Sequence, residues 1–222
     1  MHTPLVILDR DGTVNHDSDD YIKSPDEWVA LPGAIDAIAK LNHAGWRVVI
    51  ASNQSGLGRG LFDVATLNQM HDKMNKALAK AGGRVDAIFY CPHTPDEHCQ
   101  CRNPLPGLFE QIGERFGVDL KEVHAVGDSL RDAQAASVSG CMPHLVLTGK
   151  GEQYIDKALP DAFPSQTRVH TDLSAFADWL LAQAVAKNST HVKAESSCWP
   201  CFALCCTCCG CWSPSYPWHL PC

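Results

Sequence analysis

Short apolar runs are spread along the chain, each bounded by polar or turn-forming residues. Runs of this kind are typical of buried strands in a parallel sheet. They lie at residues 5–8, 47–51, 87–90, 124–126 and 144–147. We therefore predict a sheet built from these segments.

Helical periodicity fills the intervals between the predicted strands. Apolar residues recur there at spacings of three and four positions, which predicts helices with one buried face. The stripes are Ile35, Ile38, Ala39 and Leu41; Leu67, Met70, Met74 and Leu78; Leu108, Ile112 and Phe116; and Phe176, Trp179 and Leu180. Asp63 and Asp172 are expected to cap the second and the last of these helices. Strands alternating with helices predict an α/β fold with a doubly wound, mainly parallel sheet.

Composition narrows the possible partners. The chain has 222 residues, 45% of them hydrophobic, and a formal net charge of −7. A negative chain without a basic stripe argues against nucleic-acid and anionic-membrane binding. No apolar stretch approaches the ~20 residues of a membrane span, and residues 1–4 lack the features of a signal peptide. We therefore expect a cytoplasmic monomer that acts on a small molecule.

The cysteines divide the chain into two parts. Four of the 12 lie at positions 91, 99, 101 and 141, and the other eight lie between Cys198 and Cys222. From residue 189 the sequence is rich in Cys, Trp and Pro, and the amphipathic periodicity ends. We predict a domain over residues 1–188 and a tail over residues 189–222 that is disordered or not native. A metal-binding or palmitoylated appendage is the alternative.

Polar side chains follow the predicted strands at the edge where open α/β sheets bind their ligands. Asp9 and Asp11 follow the first strand, Ser52 the second and Asp128 the fourth. The three carboxylates are expected to hold Mg²⁺, which prefers oxygen ligands. Asp9 is then expected to act as a nucleophile toward phosphorus, and Asp11 as general acid and then general base. Ser52 and neighbouring backbone amides are expected to bind the phosphoryl oxygens.

Three segments resemble the motifs of the haloacid dehalogenase-like phosphatases. They are Asp-Arg-Asp-Gly-Thr at residues 9–13, Ser-Asn-Gln at 52–54 and Gly-Asp-Ser-Leu-Arg-Asp at 127–132. The resemblance extends over roughly residues 4–185. It implies a Rossmann-like sheet, Mg²⁺ dependence and a phosphoaspartate intermediate. The short segment after the first motif leaves no room for a large cap domain.

A second group of residues predicts a structural zinc site. Cys91 and His93 are followed by Cys99 and Cys101. Three thiolates and one imidazole suit a closed tetrahedral Zn²⁺ site that would staple a polar loop. His98 could substitute as the histidine ligand, but the paired spacing favours His93.

Three further histidines lie outside the predicted sites. His71 is expected to be a solvated residue within a helix, and His43 and His124 to flank their elements without a function.

The zinc loop and residues 102–107 together resemble the D-glycero-D-manno-heptose 1,7-bisphosphate 7-phosphatase family, which has histidinol-phosphate phosphatases as relatives. This resemblance implies removal of the 7-phosphate during ADP-heptose supply for lipopolysaccharide. It also implies that Arg102 contacts the phosphate that is not hydrolysed. The other implied substrate contacts are Asp17, Ser18, Asp19, Tyr21, Asn53, Gln54, Ser55 and Ser129.

Two positions depart from the pattern of that family. Asn103, assigned to the catalytic set, stands where the family usually has a Lys that steadies the transferring phosphoryl group, and Ser129 stands where some relatives have Lys. Loss of one such donor lowers a rate on the order of 10²–10³-fold. The chain is therefore either a weakened catalyst or one in which another residue compensates. A histidinol-phosphate phosphatase and a catalytically impaired zinc-containing binding protein stay as alternative functions.

Overall fold

The computed structural model describes residues 3–196, with side chains up to residue 186. The strands are β1 Leu5–Leu8, β2 Arg47–Asn53, β3 Ala87–Cys91, β4 His124–Gly127, β5 Met142–Val146 and β6 Arg168–His170. The α-helices are α1 Ala34–His43, α2 Ser55–Gly58, α3 Val64–Lys80, α4 Gly107–Phe116, α5 Leu130–Val138 and α6 Leu173–Ser196. Short 3₁₀ segments cover Pro95–Glu97, Leu120–Glu122 and Gly149–Tyr154.

The compact units of the chain are residues 1–182 and 183–222. The sheet and the site described below belong to the first unit. Residues 189–196 are the end of α6, and the rest of the predicted tail lies outside the described residues. The boundary at residue 188 therefore stays a prediction.

The strands form one parallel sheet in the order β3-β2-β1-β4-β5-β6. Leu8 of β1 pairs with Ile50 on one side and with Val126 on the other. The winding direction reverses at β1, so the carboxyl ends of β1 and β4 open a crevice of the kind that binds ligands in such sheets. The predicted doubly wound α/β fold is confirmed. The five predicted strands are present with ends shifted by at most two residues, whereas β6 was not predicted because its three residues form no apolar run.

Alternation along β1 explains why the strands are apolar throughout. Val6 and Leu8 belong to the core cluster that contains residues of α1, α3 and α6. Leu5 and Ile7 belong to the opposite cluster, with residues of α4 and α5. Since helices cover both faces, every position of the strand is buried, and β1 ends in a fixed position beneath the crevice.

Three histidines form a ladder across β4, β5 and β6. The ring of His144 lies 2.9 Å from Nδ1 of His124 and 3.0 Å from Nε2 of His170. Burial, together with neighbouring positive groups, lowers the pKa of His144 to about 2 and that of His170 to about 4. Both rings are therefore neutral at pH 7, so each can donate from one nitrogen and accept at the other. His124 is the first residue of β4 and stands at one end of this ladder, and the expectation that it has no function stays a prediction.

The segment between β1 and α1 does not form a cap domain. Residues 9–33 are described throughout, and their regular pairing is limited to isolated bridges of Asn15 with Asp11 and Ala30. This agrees with the predicted absence of a large cap. Within residues 3–196, no helix combines the length and the apolarity that crossing a membrane requires.

Candidate active site

A polar cavity of about 240 Å³ opens at the carboxyl ends of the central strands. The predicted site residues that line it are Asp9, Asp11, Asp17, Ser18, Asp19, Tyr21, Ser52, Asn53, Gln54, Ser55, Arg102, Asp128 and Ser129. Arg131, Asp132 and Lys150 also line it and were not assigned from the sequence. Asn103 does not line this cavity but borders a smaller void beside Asp9.

Three carboxylates lie together at the base of the cavity, with Asp128 and Asp132 buried and Asp9 half-buried. Those of Asp9, Asp128 and Asp132 each offer an oxygen, and these oxygens lie within 4.8 Å of one another. Burial raises the pKa of Asp9 well above its ordinary value, and the charges of Asp132, Asp128 and Asp11 raise it further. Burial and the charge of Asp132 likewise raise the pKa of Asp128 to about 7. An all-oxygen set under such repulsion fits a hard divalent cation such as Mg²⁺.

The membership of this group differs from the predicted magnesium set. Asp132 joins Asp9 and Asp128 in this group, whereas the side chain of Asp11 lies outside it, and the magnesium set of Asp9, Asp11 and Asp128 stays a prediction. Asp132 lies in the first turn of α5, where its carboxylate accepts hydrogen bonds from Ser129 N at 3.2 Å and from Nδ2 of Asn103 at 2.8 Å. The pattern of a Ser followed three residues later by an acid is a signal for this helix start, but it does not reveal that the acid faces Asp9.

Close backbone packing keeps Asp128 in position. A Cβ atom on Gly12 would lie 1.9 Å from Oδ2 of Asp128, and Gly12 has a φ of +82°. Glycine is therefore required at this position for both space and backbone conformation. The loop that carries Asp9 and Asp11 can thus approach Asp128 directly.

Asp11 is held by hydrogen bonds around its carboxylate. Arg10 donates two at 2.9 Å each, and Asn15 and Gln54 donate one each at 2.8 Å. These donors orient Asp11 while its side chain stays 20% exposed to the cavity. The Asp11 carboxylate is therefore held in one orientation at the cavity, outside the group formed by Asp9, Asp128 and Asp132.

Arg10 was missed by the sequence analysis although it lies between the two key aspartates. Its side chain is completely buried, and it also donates to Oε1 of Gln54 at 3.0 Å. Its Nη1 lies 3.4 Å from Nε2 of His71, which must accept because a guanidinium can only donate. Burial and the charge of Arg10 lower the pKa of His71 to about 4. The expectation that His71 is solvated is wrong: it is 8% exposed and supports Arg10 from behind.

Gln54 connects the loop that carries Asp11 to the ends of β2 and β3. Its Nε2 donates to Ser52 Oγ at 3.0 Å as well as to Asp11, and its backbone N–H donates to the carbonyl of Cys91 at 2.8 Å. Ser52 is buried at the end of β2. The Ser52 hydroxyl and the Asp11 carboxylate are therefore aligned by the same amide.

Asn103 is buried next to the carboxylate group. Its backbone N–H donates to Oδ1 of Asn53 at 3.1 Å, and its side-chain Nδ2 donates to Asp132. Its Oδ1 finds no partner among the described residues. A neutral amide therefore stands beside three carboxylates at a point where a cation would be favoured.

The predicted zinc ligands come together in one cluster. The Sγ atoms of Cys91, Cys99 and Cys101 lie 3.2 to 3.5 Å apart, and Nδ1 of His93 lies 3.3 Å from Sγ of Cys101. A tetrahedron with Zn–S bonds of about 2.3 Å has edges of roughly 3.7 Å. The donor set and its spacing thus fit a structural Zn²⁺ site.

The cysteine loop is also tied to the cavity. Nη1 of Arg102 donates to the carbonyl of His93 at 3.3 Å, and Gly58 N donates to the carbonyl of Pro92 at 3.0 Å. Together with the contact between Gln54 and Cys91, these bonds make the positions of Arg102 and Gln54 depend on the loop.

Comparison with known proteins agrees with this geometry. A family model described as haloacid dehalogenase-like hydrolase matches residues 3–140. The D-glycero-beta-D-manno-heptose-1,7-bisphosphate 7-phosphatases of Bordetella bronchiseptica and Pseudomonas aeruginosa are 59% and 50% identical to this chain over 180 and 181 residues. The alignments cover 81% and 82% of this chain, and 99% of each relative.

A solved structure shows the same relationship. The crystal structure of D,D-heptose 1.7-bisphosphate phosphatase from B. bronchiseptica, complexed with magnesium and phosphate, is similar with a TM-score of 0.78 and 59% sequence identity. The match covers 81% of this chain and 99% of that one. The chain belongs to the haloacid dehalogenase-like hydrolase family.

Proposed function

We propose that this protein is a Mg²⁺-dependent phosphatase that removes the 7-phosphate of D-glycero-D-manno-heptose 1,7-bisphosphate. The observation that carries the proposal is the geometry of Asp9 and Asp11. Asp9 stands in the carboxylate group, and Asp11 is oriented toward the cavity by Arg10 and Gln54. Relatives that match the chain along nearly their whole length carry this activity in their names.

The chemistry divides between the two aspartates. The Asp9 carboxylate attacks the phosphorus of the 7-phosphate, and the bond to the sugar oxygen breaks as the aspartyl-phosphate forms. Asp11 gives a proton to the departing sugar oxygen and then takes one from the water that hydrolyses the aspartyl-phosphate. Mg²⁺, when bound, offsets the repulsion between the phosphoryl oxygens and the carboxylates. The Ser52 hydroxyl donates to a phosphoryl oxygen, and Gln54 holds that hydroxyl in position.

The walls of the cavity supply the substrate contacts in this proposal. Arg102 binds the phosphate that is not hydrolysed, since its guanidinium fork suits phosphate oxygens. The polar groups that bind the sugar are Asp17, Ser18, Asp19, Tyr21, Asn53, Gln54, Ser55 and Ser129. All of them border the same cavity as Asp9, which supports a single small substrate that reaches the nucleophile and the wall together.

We assign the zinc loop a positioning role. A metal held by Cys91, His93, Cys99 and Cys101 would fix the backbone to which Arg102 and Gln54 are bonded. This explains how a polar loop beside the cavity can keep one conformation.

Three further attributes are proposed on composition. They are a location in the cytoplasm, a monomeric state without nucleic-acid partners, and a phosphatase domain that ends at residue 188. The excess of acidic residues and the end of the amphipathic pattern support them.

The alternative functions are not favoured. The relatives at 50–59% identity are named for the heptose bisphosphate, which disfavours histidinol phosphate as the substrate. The complete set of Asp9, Asp11 and Asp128 disfavours an impaired binding protein.

A substrate panel tests the proposed function. Phosphate release is measured with heptose 1,7-bisphosphate, heptose 1-phosphate and histidinol phosphate. The second phosphate adds charge-assisted hydrogen bonds, so kcat/KM for the bisphosphate should exceed that for histidinol phosphate by about 10²-fold. The product should keep its phosphate on carbon 1, which ³¹P NMR detects. A preference for histidinol phosphate would reject the proposal.

The substitution Asn103→Lys tests whether the site lacks a cation. An ammonium beside Asp9 and Asp132 would offset the charge of the transferring group, and kcat should rise by about 10²-fold. Asn103→Met is the matched control, since it adds length without charge. An unchanged kcat in Asn103→Lys would mean that another residue already supplies that charge.

Zinc binding is tested with paired cysteine variants. Cys99→Ser should lose about one zinc per chain by atomic absorption, together with a lower Tm and weaker activity, because a structural zinc contributes to folding. Cys141→Ser is the control, since Cys141 is a buried cysteine but is not one of the four grouped ligands. Both variants keep the cysteines beyond residue 197, so the tail cannot account for a difference. Equal zinc content in the two variants would reject this site.

A further inference from the structure

Hydrogen bonds fix the turn after β5 to the loop that carries Asp9 and Asp11. Thr148 Oγ1 donates to the carbonyl of Gly12 at 2.6 Å, and the backbone N–H of Lys150 donates to Oδ2 of Asp128 at 2.8 Å. A Cβ atom on Gly149 would lie 2.3 Å from Asp128 Oδ2 and 2.6 Å from Gly12 Cα. The backbone therefore cannot move without disturbing Asp128, and the Lys150 side chain starts from a defined point on the cavity wall.

The Lys150 side chain forms an ion pair with Asp17. Its side chain is 44% exposed, and it lines the cavity. Burial opposes its charge, but the hydrogen bond to Asp17 and the charges of Asp17 and Asp128 raise the pKa of Lys150. The ammonium is therefore charged at neutral pH. A partly exposed ion pair contributes little to stability, so the ammonium can exchange partners readily.

The charges around the cavity indicate that the Lys150 ammonium can bind an anionic substrate group. Aspartates dominate the lining, and its cations are Arg102, Arg131 and Lys150. A phosphate monoester adds a charge of about −1.5 to −2 near neutral pH, so a bisphosphate must compete with several carboxylates for these cations. Asp17 neutralises Lys150 in the free protein, and a phosphate can take its place.

We propose that Lys150 is a substrate-binding residue that, with Arg102, takes the phosphate that is not hydrolysed, and that Asp17 is its counter-ion in the free protein. The inference rests on the proposed function. The ammonium pairs with Asp17, which lies outside the group formed by Asp9, Asp128 and Asp132, and this favours the remote phosphate over the transferring one. The competing interpretation is that the ion pair only tethers that segment.

Steady-state kinetics of paired variants separate these interpretations. Lys150→Met should raise the KM for heptose 1,7-bisphosphate about tenfold while kcat changes less than about threefold, because one charge-assisted contact is lost. The ratio of this KM to that for p-nitrophenyl phosphate, which has no second phosphate, should rise by a similar factor. Lys150→Arg should restore most of the affinity. The contact to Asp128 comes from the backbone and survives in both variants.

Asp17→Asn distinguishes substrate binding from tethering. It releases the ammonium and removes a negative charge beside the bound phosphate, while the asparagine amide keeps a polar group for the sugar, so the KM for the bisphosphate should fall about two- to threefold. A tether would instead make Asp17→Asn and Lys150→Met equally harmful, and that result would overturn the inference. Lys157→Met is the control, because Lys157 is exposed and donates to the carbonyl of Gln153.

The activity of the unmodified protein distinguishes failure of the proposed function from failure of the inference about Lys150 alone. If it hydrolyses p-nitrophenyl phosphate but not the heptose bisphosphate, the proposed function and the inference about Lys150 both fail. If it hydrolyses the bisphosphate and the KM ratio is unchanged in Lys150→Met, only the inference fails.

Discussion

Mutual repulsion among three closely spaced carboxylates is the constraint on which the site depends. Asp9, Asp128 and Asp132 lie within reach of one cation, although moving each charge out of water is unfavourable by several kcal/mol. The fold holds them there through backbone and helix-start contacts from Lys150 and Ser129. The site therefore favours the divalent cation that reduces the repulsion.

The buried cation at Arg10 has a different task. Its guanidinium holds Asp11 with two hydrogen bonds and is itself supported by His71 and Gln54. The same Asp-Arg-Asp stretch thus gives Asp9 acidic neighbours and Asp11 a cationic one. Different environments for adjacent carboxylates allow one to act as nucleophile and the other to carry protons.

The general architecture was predictable from the sequence because it follows from periodicity. Apolar strands that alternate with amphipathic stripes admit few arrangements other than a doubly wound sheet. The strand β6 escaped prediction because its register with β5 depends on tertiary pairing, including the contact of His144 with His170. Ligands of open α/β sheets bind at the carboxyl ends of the strands, and this rule grouped most site residues around one cavity. The rule does not specify the direction of each side chain. That is why the position of Asp132 beside Asp9 was not predicted, and why His71 was expected to be solvated although it is buried.

The most direct measurement of the central claim is an acid-quenched reaction with heptose bisphosphate labelled with ³²P at the 7-position. We expect label bound covalently to the protein, sensitive to alkali and located on the peptide that contains Asp9. Asp9→Asn should retain no label and release no phosphate. Turnover by Asp9→Asn at the parental rate would contradict the account.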